Sequence, residues 1–128
     1  MMDAQQSLFT GLKLKIEALG LSVYDGGMPS DDTPYPFVYL ADNTMRDMMV
    51  KGYGIGTVSQ NIHVWQNDSK KRGTLSRIAA EVMDVCREFE AYGGTGYTLR
   101  SLSQKIISDN STAEPLMHAI IEAEYYYS

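Results

Sequence analysis

The sequence predicts an α+β fold: a mostly antiparallel sheet with two helices packed on one face, in the order α-β-β-β-α-β-β. Three observations predict it. Apolar residues recur at helical spacing in two stretches only, period-two alternation marks other stretches, and the strands follow one another without crossover helices. The 128 residues are 44% hydrophobic and 21% charged, which suits one core, so residues 1–128 read as a single domain.

Asp3 is placed to cap a helix over about residues 4–19, along which Leu8, Phe9, Leu12, Ile16 and Leu19 recur, and Gly20 is suited to end it in the left-handed conformation. Leu21 to Tyr24 alternates as a short strand, and Asp25 to Pro34 gathers turn residues into an exposed loop. Phe37 to Ala41, entered through Pro34 and Pro36, is rich in β-branched and aromatic residues and predicts a second strand. Asp42 to Gly56 holds Met45, Met48 and Met49 together with Gly52, Gly54 and Gly56. That is too many glycines for a regular element and too many methionines for an ordinary solvated loop. It reads either as an adaptable contact surface or as a hairpin arm folded over the sheet.

From Thr57 to Gln66 the even positions Val58, Ile62 and Val64 are apolar, while the odd positions Thr57, Ser59, Asn61 and His63 are polar until Trp65. This predicts a third strand. After a turn at Asn67–Gly73, Leu75, Ile78, Ala79, Val82, Cys86 and Phe89 trace an amphipathic helix expected to end at Gly93-Gly94. Tyr97 to Ile107 and Leu116 to Tyr127 then read as a hairpin around a turn at Asp109–Pro115. Tyr125, Tyr126 and Tyr127 point to alternate faces, so at least one ring is expected at a surface or interface.

Eleven Lys and Arg against sixteen Asp and Glu give a net charge of −5, opposite to the basic footprint that a phosphate backbone selects. Specific nucleic-acid binding is not expected. One Cys makes no internal disulfide. No basic segment leads into an apolar one at the N-terminus, and no apolar run is long enough to span a bilayer, so neither export by such a signal nor a membrane partner is expected.

No catalytic, metal or cofactor site stands out. Gly52-Tyr-Gly-Ile-Gly56 precedes a strand, whereas a phosphate-cradling loop follows one and opens a helix. His63 and His118 have no Cys, His, Asp or Glu at a ligand spacing. Cys86 falls on an apolar helix stripe and reads as core. Lys70, Lys71 and Arg72 are the oddity among the charges, because cations at a helix start oppose its dipole. Either the helix begins later, near Gly73-Thr74, or the cluster meets an acidic partner.

Pro36-Phe-Val-Tyr-Leu-Ala-Asp42, the following loop, Ile62-His-Val-Trp-Gln66 and Lys71-Arg-Gly-Thr-Leu-Ser-Arg-Ile-Ala79 together resemble the tail-completion proteins of long-tailed bacteriophages and prophages, the head–tail joining or tail-terminator family. In that family an N-terminal helix precedes a P-Y-V-x-L strand, a variable loop, a hxVW strand and a helix opened by a small-residue turn. The resemblance runs over about residues 4–125 and departs from the plain pattern in the methionine-rich loop. It implies a non-enzymatic virion protein, assembled in the host bacterial cytoplasm. That protein forms a ring, sixfold by the family, which caps the tail tube and joins it to the head-completion proteins, with DNA passing through. No cofactor is implied.

Such a ring needs two different surfaces on each subunit. Met45, Arg46, Met48, Met49, Lys70, Lys71 and Arg72 are the candidates for one, with Asp31 and Asp32 as the acidic counterpart on a neighbour. A cytoplasmic protein-binding module, or less so a small hydrolase or transferase working near His63, is the alternative.

Overall fold

The Asp3 carboxylate accepts the Gln6 backbone N–H at 2.9 Å and starts helix α1, Ala4–Glu17, satisfying one of the donors a helix leaves unpaired at its first turn. The structure, a computed structural model, describes residues 3–50, 53–109 and 116–128, with the side chains of 48–50, 53–55 and 69 outside the description. Ala4, Leu8, Leu12 and Ile16 are buried at every fourth position, with Ser7 and Gly11 beside them. The helix ends earlier than the spacing of apolar residues predicts: Leu19 lies past its end and is 42% exposed. Gly20 does take the left-handed conformation, at φ +89°.

Strands β1 (Val23–Tyr24), β2 (Phe37–Val50) and β3 (Tyr53–Gln66) come next, followed by a short 3-10 turn and helix α2 (Arg72–Glu88). After α2 come β4 (Ala91–Tyr92), β5 (Thr95–Asp109) and β6 (Leu116–Tyr127). The spatial order is β1-β2-β3-β6-β5-β4. β1 runs parallel to β2, and every other pair is antiparallel. The expected α+β class and element order hold, with one addition: α2 stops at Glu88, and Gly93-Gly94, both at positive φ, turn the two-residue β4 into β5.

The second difference is larger. Asp42 to Val50 continues β2 rather than leaving it as a loop, and Tyr53 to Gly56 already belongs to β3. The two strands form one long hairpin with a single register shift between Leu40 and Asn43. Glycine and methionine weigh against a strand in isolation, but this arm has a partner along its length, since β6 continues alongside β3 as far as Gly56↔Tyr127. The segment Asn110–Pro115, expected as a turn, lies outside the described residues.

Both helices lie on one face of the sheet. Leu8, Leu12 and Ile16 of α1 and Leu75, Ile78, Ala79, Val82 and Cys86 of α2 meet Val38 and Leu40, Val58, Ile62 and Val64, and Ala119, Ile121, Ala123 and Tyr125. Each fully buried Leu or Ile there contributes on the order of 2 kcal/mol. Two phenols tie layers together: Tyr97 donates to the Ala4 carbonyl at 2.7 Å, and Tyr125 to that of Cys86 at 2.6 Å. Cys86 is buried as its place on the stripe predicts, and burial pushes its thiol up to about 12.

Candidate functional site

Strand side chains alternate between faces. With both helices on one side, the odd residues of β3 and the even residues of β6 occupy the other face. Register brings Ser59, Asn61, His63 and Trp65 beside Glu124, Glu122, Ile120 and His118, and these beside Ser101, Ser103, Lys105 and Ile107 of β5. No described helix covers this surface. Over most of its length it is polar, with a depression of about 380 Å³ lined by Asn61, Ser103, Lys105, Ile120 and Glu122.

At the end near the start of β2 the face turns aromatic. The indole of Trp65 stacks on the His118 ring at 3.6 Å between centroids and 14° between planes, and His63 Nδ1 lies 2.8 Å from His118 Nε2. Phe37, paired with Trp65, packs edge-on to Tyr24 at 5.6 Å and beside Tyr35 at 5.1 Å. Burial holds both histidines below the usual imidazole value. His118 is lowered to about 4, helped by repulsion from His63 and opposed by Asp109, while Asp42 opposes the shift at His63. Two neutral rings can share one N–H, whereas two cations cannot. The His63 nitrogen that faces its neighbour is thus taken up by this pairing. Among the described residues no group of three or more His, Cys, Asp or Glu is placed to hold a metal ion.

At the other end, Arg100 of β5 pairs with Glu124 and reaches the Tyr126 hydroxyl at 3.2 Å. Tyr126 is 42% exposed on this face while Tyr125 is buried in the core, as the alternation of the three tyrosines predicts. Tyr127 donates to the Asp47 carboxylate across the sheet.

The residues singled out in the sequence fall at two ends of the sheet. Asp31 and Asp32 are exposed in the loop leading into β2, and Lys70, Lys71 and Arg72 are exposed where β3 hands over to α2. The basic cluster mostly precedes the helix: Ser69–Lys71 is a 3-10 turn capped by Asp68, which accepts the Lys70 N–H at 2.9 Å, and α2 begins at Arg72. Arg46 and Met45 lie toward the far end of β2, with Arg46 exposed and Met45 half-buried against the core. Met48 and Met49 belong to β2, and their side chains lie outside the described residues. The methionine arm and the basic cluster are thus separated by much of the length of a strand and belong to different surfaces.

Sequence reasoning missed Gln60. Its side chain is fully buried and fills the bulge of β2, donating to the Ala41 carbonyl at 3.1 Å and accepting from Asn43 Nδ2 at 2.9 Å. The signal was a glutamine on the apolar phase of β3. The His63–His118 pairing, 55 residues apart in sequence, left no local signal.

No protein-family model matches the chain, and no curated protein matches it. Among solved structures it is similar to a chain of the virion of a native gene transfer agent particle, at 18% identity and a TM-score of 0.66, over 96% of this chain and 94% of that one. It is also similar to a second solved chain at 16% identity and a TM-score of 0.60, covering 96% of this chain and 92% of that one. Both likenesses span nearly the whole of each partner, so they concern the full fold and not a shared fragment. Among the described residues no helix is long and apolar enough to cross a membrane.

Proposed function

We propose that this chain is a non-enzymatic structural protein of a phage-like virion, a ring-forming adaptor that completes the tail tube and joins it to the head. The observation that carries the reading is the end-to-end likeness to a chain of a gene transfer agent virion, in agreement with the tail-completion resemblance of the Pro36–Ala79 motifs. A sheet bare on one face and free along much of two edges supports it, because a subunit that must contact neighbours needs surface its own chain does not cover. The reading takes residues 1–128 as one domain, self-association as a sixfold ring, tail-tube and head-completion proteins as partners, and the virion as the destination after assembly in the bacterial cytoplasm. The exposed Asp31 and Asp32 and the Lys70–Arg72 cluster are candidate contacts to those partners, and Met45, Arg46, Met48 and Met49 candidate contacts between subunits.

Electron microscopy of the purified protein mixed with tail tubes tests it. Rings at one end of the tubes are expected, and deletion of the gene should leave heads and tails unjoined. A protein that never associates with tails, and whose loss leaves intact particles, rejects the reading.

A further inference from the structure

The two long edges of the sheet are open over part of their length. On β2, β1 pairs only with Val38 and Tyr39, and Gln5 of α1 donates to the Asn43 carbonyl at 3.3 Å. From Thr44 onward no described strand adjoins the outer side. On β5, β4 pairs only with Thr95 and Gly96, and Tyr97 donates outward to the Glu90 carbonyl at 2.8 Å. From Leu102 to Ser108 no described strand adjoins that outer side. Long edges of this kind template pairing with another chain, and proteins that stay monomeric blunt them with prolines, dense charge or cover. Neither free stretch contains a proline, β5 has Lys105 as its sole charge before Asp109, and Ile107 is 39% exposed.

Which backbone groups point outward follows from the ladders. Gly96 and Ser128 exchange both of their bonds, so the even residues of β6 face β5 and its odd residues face β3. Carried through the registers and across the two bulges, this alternation leaves Met45 and Asp47 directed outward on β2, and Leu102, Gln104, Ile106 and Ser108 outward on β5. The Val38 N–H, directed at Ser22, agrees with the same phase. Met45, Leu102 and Ile106 all pack against the core, so on both edges the outward-facing residues carry their side chains on the helix-bearing face. Residues opposed in a sheet share a face, and joining these edges therefore keeps the helices of successive subunits on one side. Direction agrees as well. Three antiparallel pairings separate β2 from β5, so the two run oppositely, and a copy rotated about an axis roughly along the strands presents β5 antiparallel to β2.

We propose that the outer edges of β2 and β5 are the two halves of one seam between copies of this chain, so that the ring is a continuous antiparallel sheet with helices on one side. The proposal rests on the ring-forming reading and names its contact. A second copy fits these edges because they match each other in length, phase and direction. β1 and β4 cover the two edges at opposite ends of the sheet, which prevents a flush register and staggers the seam along the strands, as closing a sheet into a barrel requires.

Proline at an outward position removes a seam donor and no bond of the subunit's own ladder. The test is native mass spectrometry and electron microscopy of Asp47→Pro, Ser108→Pro and the controls Asp47→Ala and Ser108→Ala, alone and on tail tubes, with circular dichroism to confirm folding. Each proline variant should lose rings while the alanine controls keep them, and an equimolar mixture of the two proline variants should give dimers, one intact seam being left between them. An independent readout needs no proline: Asp47→Cys combined in turn with Gln104→Cys, Ile106→Cys and Ser108→Cys should, for the pairing the seam adopts, oxidise to a ladder of covalent multimers. Rings that persist in both proline variants, or no ladder from any of the cysteine pairs, overturn the seam and leave the ring reading standing. Loss of rings from Ser108→Pro alone, with Asp47→Pro unaffected, indicates a two-fold β5–β5 contact and overturns it too. A wild-type chain that forms no ring under any of these conditions rejects the ring reading itself.

Discussion

Leucine in place of Gln60 would keep the volume of the side chain and strand the groups it serves. The Ala41 carbonyl loses its donor and Asn43 Nδ2 its acceptor, and Asn43 Oδ1 is already buried without a partner. Unpaired buried polar groups cost about 1–3 kcal/mol each, more than the apolar gain from leucine, so Gln60→Leu should lower the unfolding free energy by about 3 kcal/mol, read as a lower urea midpoint with little change in m-value. The histidine pair makes a pH prediction. Both folded-state values lie below the ordinary imidazole value, so below about pH 6.5 the unfolded chain binds protons that the folded chain refuses. Stability should therefore fall as pH drops from there through about 4. Melting curves of wild type and of His63→Gln/His118→Gln should diverge over that window, with the wild type losing several degrees more; parallel curves would mean the pair is as free to protonate when folded.

Helix α1 illustrates how packing overrides propensity at the scale of an element. Alanine at Gly11 should favour a helix by about 1 kcal/mol, yet its Cβ would lie 2.6 Å from the Phe89 ring and 2.9 Å from Tyr92 Cβ. Phe89 cannot yield, being held between Tyr97 at 5.2 Å and Tyr125 at 5.9 Å. Overpacking of this kind costs about 1–3 kcal/mol, so Gly11→Ala should lower the melting temperature, while Gly73→Ala in the open first turn of α2, with nothing within 4 Å, should raise it slightly. The same contest explains what the sequence disclosed. The stripe from Leu75 to Phe89 is local and was legible in full. The long arms of β2 and β3 were not, because what makes Asp42–Val50 a strand is the neighbouring chain and the Gln60 plug, not its own methionines. β1 lies within the alternating stretch Leu21–Tyr24 that predicts a strand, whereas β4, two residues long, carries no periodicity to read. Of the candidate surface, the polar odd face of β3 was legible as alternation, but its union with β6 and β5 is a matter of register.

For the whole molecule, the distribution of charge decides which polymers it tolerates. The net charge is −5, and the uncovered face sets Glu122 and Glu124 along its centre, with Arg100 engaged by Glu124. A net negative charge gives phosphates little to bind. Ser59, Asn61 and Ser103 sit beside these glutamates and take no part in the core, so changing all three to lysine should leave the melting temperature within a degree or two. The change in partner preference should be large. The triple variant should be retained on immobilised double-stranded DNA and elute with a steep dependence on salt, as counterion release demands, whereas the wild type should flow through. Retention of the wild type to a similar salt concentration would mean that the basic residues at Lys70–Arg72, and not the net negative charge, govern its encounter with nucleic acid.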